Sequence, residues 1–251
     1  MIDLKNKVAL ITGASRGIGR ATAISFAKTG CQVLINYHSN GKAAKEVLAK
    51  VRKLEVEAEI FKADVSRKIE VEQMVDFTLG RLGHIDILVA NAGICKYAPI
   101  DSLTEAELKE TVEINLYGVF YPITCLVPYM KKRKQGNIIT ISSTAGQWGD
   151  PFHSHYAATK GAVISLTKSL AVELAPHKIR VNCVAPGWVE TDMSQEALSG
   201  EDREKIFSQI PLGRAAKAEE IADSVLFLAS ELSSFVTGEI LNVNGGAVLC
   251  G

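Results

Sequence analysis

Two side chains four positions apart are the strongest sign of chemistry in this sequence. Tyr156 and Lys160 sit in the run Tyr156-Ala157-Ala158-Thr159-Lys160. The surrounding segment, 154–175, has a helical pattern stopped by Pro176. Positions i and i+4 share one helix face. A free phenol titrates near about 10 and is a poor proton-transfer group at neutrality. A neighbouring ammonium favours the phenolate and draws that value down. Tyr156 could then give a proton to a carbonyl oxygen or take one from an alcohol. Ser143, just past a strand-like run from Asn137 to Ser142, can hydrogen-bond the same oxygen and steady developing alkoxide charge. Each signal has a plainer alternative: an isolated pair of this kind is usually chance surface, and a serine after a strand is usually a cap. Those alternatives do not account for the joint arrangement.

A second constellation lies near the N-terminus. An apolar run from Lys7 to Thr12 leads into Gly13-Ala14-Ser15-Arg16-Gly17-Ile18-Gly19, and a helical pattern follows over 17–29. Gly13 can make a tight turn, Gly17 can let backbone approach a pyrophosphate, and Gly19 can let the helix pack close to a sheet. The N–H groups at the helix start, from Ser15 through Ile18, can face an anion. The spacing is GxxxGxG rather than the commoner GxGxxG. An acid normally holds the adenosine ribose of NAD about 20 residues further on. Here the second strand ends in Asn36, Tyr37, His38 and Ser39, and no acid appears before Glu46. Arg16 can pair with a 2′-phosphate, with Asn36, His38 and Ser39 adding hydrogen bonds. This pattern favours NADP(H), with NAD(H) possible. The alternative is a solvated Arg16 in a site that takes both.

These groups need a scaffold, and the sequence supplies a repeating one. Strand-like runs over 31–36, 59–63, 85–90, 180–185 and 239–243 alternate with helical patterns over 41–54, 68–82 and 104 to about 128. Thr104 and Glu107 have capping-box spacing, and Pro122 should kink the long helix or mark a junction. Continuous rather than alternating apolar runs indicate a parallel sheet covered on both faces. The expected architecture is α/β: a Rossmann-like, doubly wound, parallel seven-stranded sheet in a single domain over 1–251. The 251 residues carry 28 acidic and 28 basic side chains and are 47% hydrophobic. This composition excludes a disordered chain and argues against charge-driven nucleic-acid binding. No apolar stretch is long enough for a membrane helix. The five scattered cysteines (Cys31, Cys95, Cys125, Cys183, Cys250) suggest neither a disulfide framework nor a metal site. The expected location is cytoplasmic.

Taken in order, these motifs resemble the short-chain dehydrogenase/reductase family of the Tyr-x-x-x-Lys type. The resemblance runs from Lys5 to Gly246. It rests on Thr12–Gly19, Asp64-Val65, Ala90-Asn91-Ala92-Gly93, Asn115, Ser143, Tyr156 with Lys160, and Pro186–Met193. Ala90 is a departure, because many members carry a first asparagine there. The resemblance implies an NAD(P)-dependent oxidoreductase with Ser143, Tyr156, Lys160 and Asn115 as catalytic residues, Asn115 helping to hold a water that links the lysine to solvent. It implies adenosine contacts at Asp64, Val65, Asn91, Ala92 and Gly93. It also implies nicotinamide-side contacts at Pro186, Gly187, Val189 and Thr191, and a homotetramer built on the two long helices and the C-terminal segments.

Within that family the chain is most similar to 3-oxoacyl-[acyl-carrier-protein] reductases, in stretches such as Asn182–Gly187, Ile210–Arg214 and Val236–Glu239. The substrate would then be a carrier-bound thioester, and the basic run Lys131–Lys134 could attract the acidic carrier. Such a run also simply suits a helix C-terminus. The open alternative is an alcohol dehydrogenase or ketoreductase acting on a free alcohol, sugar or ketone. A non-catalytic nucleotide binder is opposed by the presence of Ser143, Tyr156 and Lys160. Substrate-lining candidates are Lys96, Tyr97, 147–155 and a lid over about 188–212.

Overall fold

The computed structural model describes residues 2–249. In chain order its elements are β1 (Val8–Ile11), α1 (Gly17–Lys28), β2 (Gln32–Tyr37), α2 (Gly41–Arg52), β3 (Ala58–Lys62), α3 (Lys68–Leu82) and β4 (Ile87–Ala90). Next come α4 (Glu105–Val112), a π-helical turn (Glu113–Tyr117), α5 (Gly118–Arg133), β5 (Gly136–Ile141), α6 (Ala145–Trp148) and α7 (Ser154–Leu174). The chain continues through β6 (Ile179–Pro186), β7 (Val189–Glu190), α8 (Gln195–Ser199), α9 (Arg203–Ser208), β8 (Ala216–Lys217), α10 (Ala218–Ala229) and β9 (Ile240–Val243). Seven strands form one parallel sheet in the order β3-β2-β1-β4-β5-β6-β9, and β7 pairs with β8 separately. The strand order reverses direction at β1/β4, the topological switch point beside which open α/β sheets bind ligands.

The apolar strand runs are explained by two cores, one on each face of the sheet. Ala9, Ile11, Val33 and Ile35 pack under Phe26 of α1 and Val225 of α10. Val8, Leu10, Leu34 and Leu88 pack under Met74 of α3, Leu126 of α5 and Val163 of α7. Alternate residues of one strand serve opposite cores, so a central strand needs apolar side chains at every position.

Two local features differ from the sequence reading. Pro122 does not break the long helix, and Pro128 does not end it, since both lie inside α5. The irregularity sits just upstream, where the π turn meets Gly118, the residue whose carbonyl would otherwise receive the donor that Pro122 lacks. The sequence pattern predicts no element between 212 and 238, yet α10 fills that gap. Ile221, Val225 and Leu228 recur at helical spacing and are buried. Glu220 accepts the Lys217 N–H at 2.8 Å and opens the helix. The basic run follows the plainer of its two sequence readings, cations in the last turn of α5. Lys131 pairs with Glu173 at 3.6 Å, and Arg133 pairs with buried Asp86 at 3.2 Å. Asp86 adjoins the N-terminal end of β4, so within one chain this run lies at the opposite edge of the sheet from Tyr156.

Candidate active site

The C-terminal ends of β1, β4, β5 and β6 bring the candidate residues to one edge. Lys160 is 4% exposed, and its Nζ donates to the Ile141 carbonyl at 2.8 Å. That ammonium lies 5.7 Å from the centre of the Tyr156 ring, as the shared helix face requires. Burial draws the lysine down to about 8. Burial also pushes the Tyr156 phenol up, while a hydrogen bond with Ser143 pulls it back. In the free chain burial therefore dominates the phenol, and the Ser143 hydrogen bond opposes it.

Ser143 sits just past β5, and its Oγ accepts the Ala145 N–H at 3.1 Å at the start of α6. Neighbouring Ser142 donates to the Lys160 carbonyl at 2.8 Å, which ties the strand end to α7. Gly146 allows α6 to lie against α7: a Cβ there would come 2.5 Å from the Lys160 carbonyl carbon. Asn115 is fully buried in the π turn. Its Oδ1 accepts the Ile94 N–H and its Nδ2 donates to the Ile94 carbonyl, both at 2.8 Å. Gly93 lies between Asn115 and Lys160, since a Cβ on it would be 3.2 Å from the Asn115 Oδ1 and 3.5 Å from the Lys160 Nζ. The asparagine thus pins the loop after β4 beside the lysine.

The glycine-rich turn packs tightly against the loop after β4. Gly13 has φ +64°, and a Cβ there would meet the Ala92 Cα at 2.9 Å. A Cβ on Gly19 would meet Asn91 Nδ2 at 2.6 Å. Gly17, φ +53°, faces Thr191 across a gap that a Cβ would close to 3.4 Å. No side chain caps α1 and no acid occupies its first turn, so the N–H groups beyond Ser15 and Arg16 are left for an anion. Asn91 donates to the carbonyls of Thr12 and Gly13 at 2.9 and 3.2 Å. Thr12, which sequence reasoning missed, accepts the N–H groups of Asn91 and Ala92 through its hydroxyl. A threonine at a strand end is too common a residue to have stood out.

On the adenosine side the placement is mixed. Asn36 is buried, its Oδ1 accepting the Gly13 N–H at 3.1 Å and its Nδ2 donating to the Ala63 carbonyl at 3.1 Å. It braces the phosphate turn and has no amide atom left facing outward as expected. His38 and Ser39 are exposed, and His38 lies 3.8 Å from Asp64. The Asp64 carboxyl is held below its ordinary value: burial opposes this, but hydrogen bonds from Ser66 and the nearby His38 outweigh it. Val65 is buried against Gly118. Arg16 is exposed and forms an ion pair with Asp192 at 3.5 Å.

On the other side, Pro186 ends β6 and its carbonyl accepts the Thr144 N–H at 3.0 Å, joining this loop to the one that bears Ser143. Gly187 packs on Asn244 and donates its N–H to the Val243 carbonyl. Ser194 donates to the Val189 carbonyl and its hydroxyl accepts the Thr191 N–H. Asp150, within the substrate-lining range 147–155, and Cys95, which had no role from sequence, lie close enough to Tyr156 to oppose its ionisation. Cys95 follows the Ile94 that Asn115 holds, and burial raises its thiol to about 11.

This geometry can bind a dinucleotide at the β1 turn and hold a phenol, a hydroxyl and an ammonium around one oxygen. Residues 13–248 match the family model described as enoyl-(acyl carrier protein) reductase. A 3-oxoacyl-[acyl-carrier-protein] reductase of Thermotoga maritima is 41% identical over 250 residues, covering 98% of this chain and 99% of that protein. One from a Synechocystis strain is 40% identical over 250 residues, covering 99% and 100%. Among solved structures, a short-chain dehydrogenase/reductase of Brucella melitensis, titled glucose/ribitol dehydrogenase, aligns with a TM-score of 0.92 at 36% identity, covering 99% of both chains. A short-chain type dehydrogenase/reductase of Mycobacterium marinum aligns with a TM-score of 0.93 at 37% identity, covering 99% and 98%. The chain belongs to the short-chain dehydrogenase/reductase family of nicotinamide-dependent oxidoreductases.

Proposed function

We propose that this protein reduces a 3-oxoacyl thioester, carried on acyl-carrier protein, with NADPH. The observation that carries this reading is the meeting of Ser143, Tyr156 and Lys160 at the sheet edge beside the glycine turn. The relatives' names support the substrate class. A Cβ on Gly17 would sit at ordinary contact distance from Thr191, and no side chain caps α1 and no acid occupies its first turn, while Gly13 and Gly19 let the turn pack tightly beneath it, so the residues present fit a pyrophosphate. When bound, NADP(H) supplies the hydride. The chain's own residues do the rest. Ser143 hydrogen-bonds the substrate oxygen, and Tyr156 passes its proton to that oxygen as negative charge develops. Lys160 holds positive charge beside the resulting phenolate, and Asn115 fixes the loop that borders the lysine. A homotetramer, a cytoplasmic location, a single domain and a lid over 188–212 belong to the same reading.

Arg16 supports the NADPH preference. Its ion-pair partner Asp192 is exposed, and a phosphate dianion would compete well with one solvated carboxylate. Arg16→Ala should weaken NADPH binding about tenfold, one lost charge-assisted contact, and NADH much less. Equal losses in fluorescence titrations would remove the phosphate-recognition role.

The second reading, a dehydrogenase for a free alcohol, sugar or ketone, is favoured by Asp150, a carboxyl within electrostatic range of Tyr156 that could accept a substrate hydroxyl. Cofactor-oxidation assays with carrier-bound thioesters, free ketones and polyols, each with NADPH and NADH, separate the two. Equal turnover of carrier-bound and free carbonyls would end the carrier-specific reading. Tyr156→Phe should cut turnover by at least about a hundredfold, the scale of general acid catalysis, while NADPH still binds. Unchanged steady-state turnover would refute the proton-transfer role.

A further inference from the structure

Proton handling and cofactor binding leave one feature at this edge unused. Tyr97 and Phe152 stack with ring centres 5.5 Å apart and planes 27° apart. His153 meets Tyr97 edge-on at 5.8 Å. The rings come from the two loops that flank the reacting groups. Tyr97 lies two residues after Cys95, and Phe152 and His153 lead directly into Tyr156. The loops are tied together by the Ala98 N–H donating to the Phe152 carbonyl at 2.9 Å. His153 is braced by the Pro151 carbonyl at 3.0 Å and by Asp150 at 3.5 Å.

Phe152 has φ +65°, a left-handed conformation that a bulky side chain adopts at a cost of about 1–2 kcal/mol. Burial does not offset that cost, because the ring remains 57% exposed and Tyr97 is 65% exposed. Fold stability alone would favour glycine at this position. A large ring held there under strain, half open to solvent and stacked on a second ring, is placed to meet something else. Exposed aromatic faces offer flat apolar surface to a ligand at little entropic cost.

We propose that Tyr97, Phe152 and His153 form an aromatic clamp that grips the apolar tail of the substrate beyond its reacting carbonyl. The chain thereby selects carbonyl compounds with an extended or aromatic tail over short-tailed ones. This rests on the reading of the site as a carbonyl reductase and adds its tail preference. The tail is neutral, because the Asp150 carboxyl beside the clamp repels an anionic one.

The test uses the full chain with NADPH and two matched substrate pairs: acetoacetyl against β-oxo-octanoyl thioesters of acyl-carrier protein, and acetone against benzylacetone. Wild type should prefer the larger member of a pair. In Phe152→Gly and Tyr97→Ala that preference, as a ratio of kcat/KM values, should fall at least about tenfold, mainly through KM of the larger substrate. Tyr97→Phe, which keeps the stack, should retain the preference. A ratio unchanged in both Phe152→Gly and Tyr97→Ala overturns the clamp, as does a wild type that favours the short members. If only the ketone pair turns over, the thioester reading falls while the clamp is still judged on that pair. If neither pair turns over, both fall.

Discussion

At the scale of single residues, Lys160 is where function and stability conflict. Its value falls from 10.5 to about 8 because the ammonium is buried. At pH 7 the lysine is charged in both folded and unfolded chains, so folding carries the full desolvation cost. As pH rises from about 8 towards 10.5, the folded lysine releases its proton while the unfolded one keeps it. The unfolded state then binds more protons, and this cost is progressively relieved. Lys160→Met should therefore stabilise the free chain at pH 7 by about 1–3 kcal/mol, allowing for the lost bond to the Ile141 carbonyl, and abolish turnover. Urea unfolding at pH 7 and pH 10 checks this, with the gain expected to shrink at the higher pH. A variant less stable than wild type at pH 7 would mean that the ammonium's bonds outweigh its burial.

The same scale shows why side-chain roles were only partly legible. Tyr156 and Lys160 could be paired from spacing because a helix fixes which residues share a face. Asn36 could not be read correctly. Its position at the end of β2 suits either an outward or an inward amide, and only the neighbouring turn, with the Gly13 N–H and the Ala63 carbonyl, determines the inward choice. Asn115 was recognisable as a polar residue in a packed helix. Its pairing with Ile94 depends on the π turn, which has no sequence signature comparable to a cap.

At the scale of elements, the strand–helix alternation was legible because buried parallel strands need unbroken apolar runs. The short α6 was not, since four residues carry no period. Yet α6 sets the distance between Ser143 and α7. A Cβ at Gly146 would meet backbone atoms of Lys160 and Gly161 at 2.5 to 2.8 Å, and backbone cannot rotate aside. Gly146→Ala should cost about 1–3 kcal/mol of stability by overpacking. It should also lower kcat by displacing the strand end that bears Ser143, with NADPH affinity nearly unchanged because the glycine turn is remote. Denaturant midpoints, kcat and cofactor titration separate these effects. Loss of NADPH binding with kcat intact would show that α6 governs the cofactor pocket instead.

At the scale of the whole molecule, the surface left over is too apolar for a chain with no net charge. Phe235 is fully exposed, Leu232 is 71% exposed and Val172 is 79% exposed. Val172 of α7 borders a groove with Ala171, Ala175, Thr237 and Gly238. Gly238 approaches α7 closely, its would-be Cβ only 3.3 Å from the Ala171 Cβ. An exposed apolar face of this kind is covered most economically by a second copy of the same chain, as in the proposed homotetramer. Sedimentation equilibrium should give four copies of the chain. Val172→Asp and Phe235→Asp should each reduce the assembly to a smaller oligomer, by placing a charge where the partner's apolar surface would sit. A monomeric wild type, or assembly indifferent to both charges, would assign these side chains to solvent and leave the homotetramer without physical support.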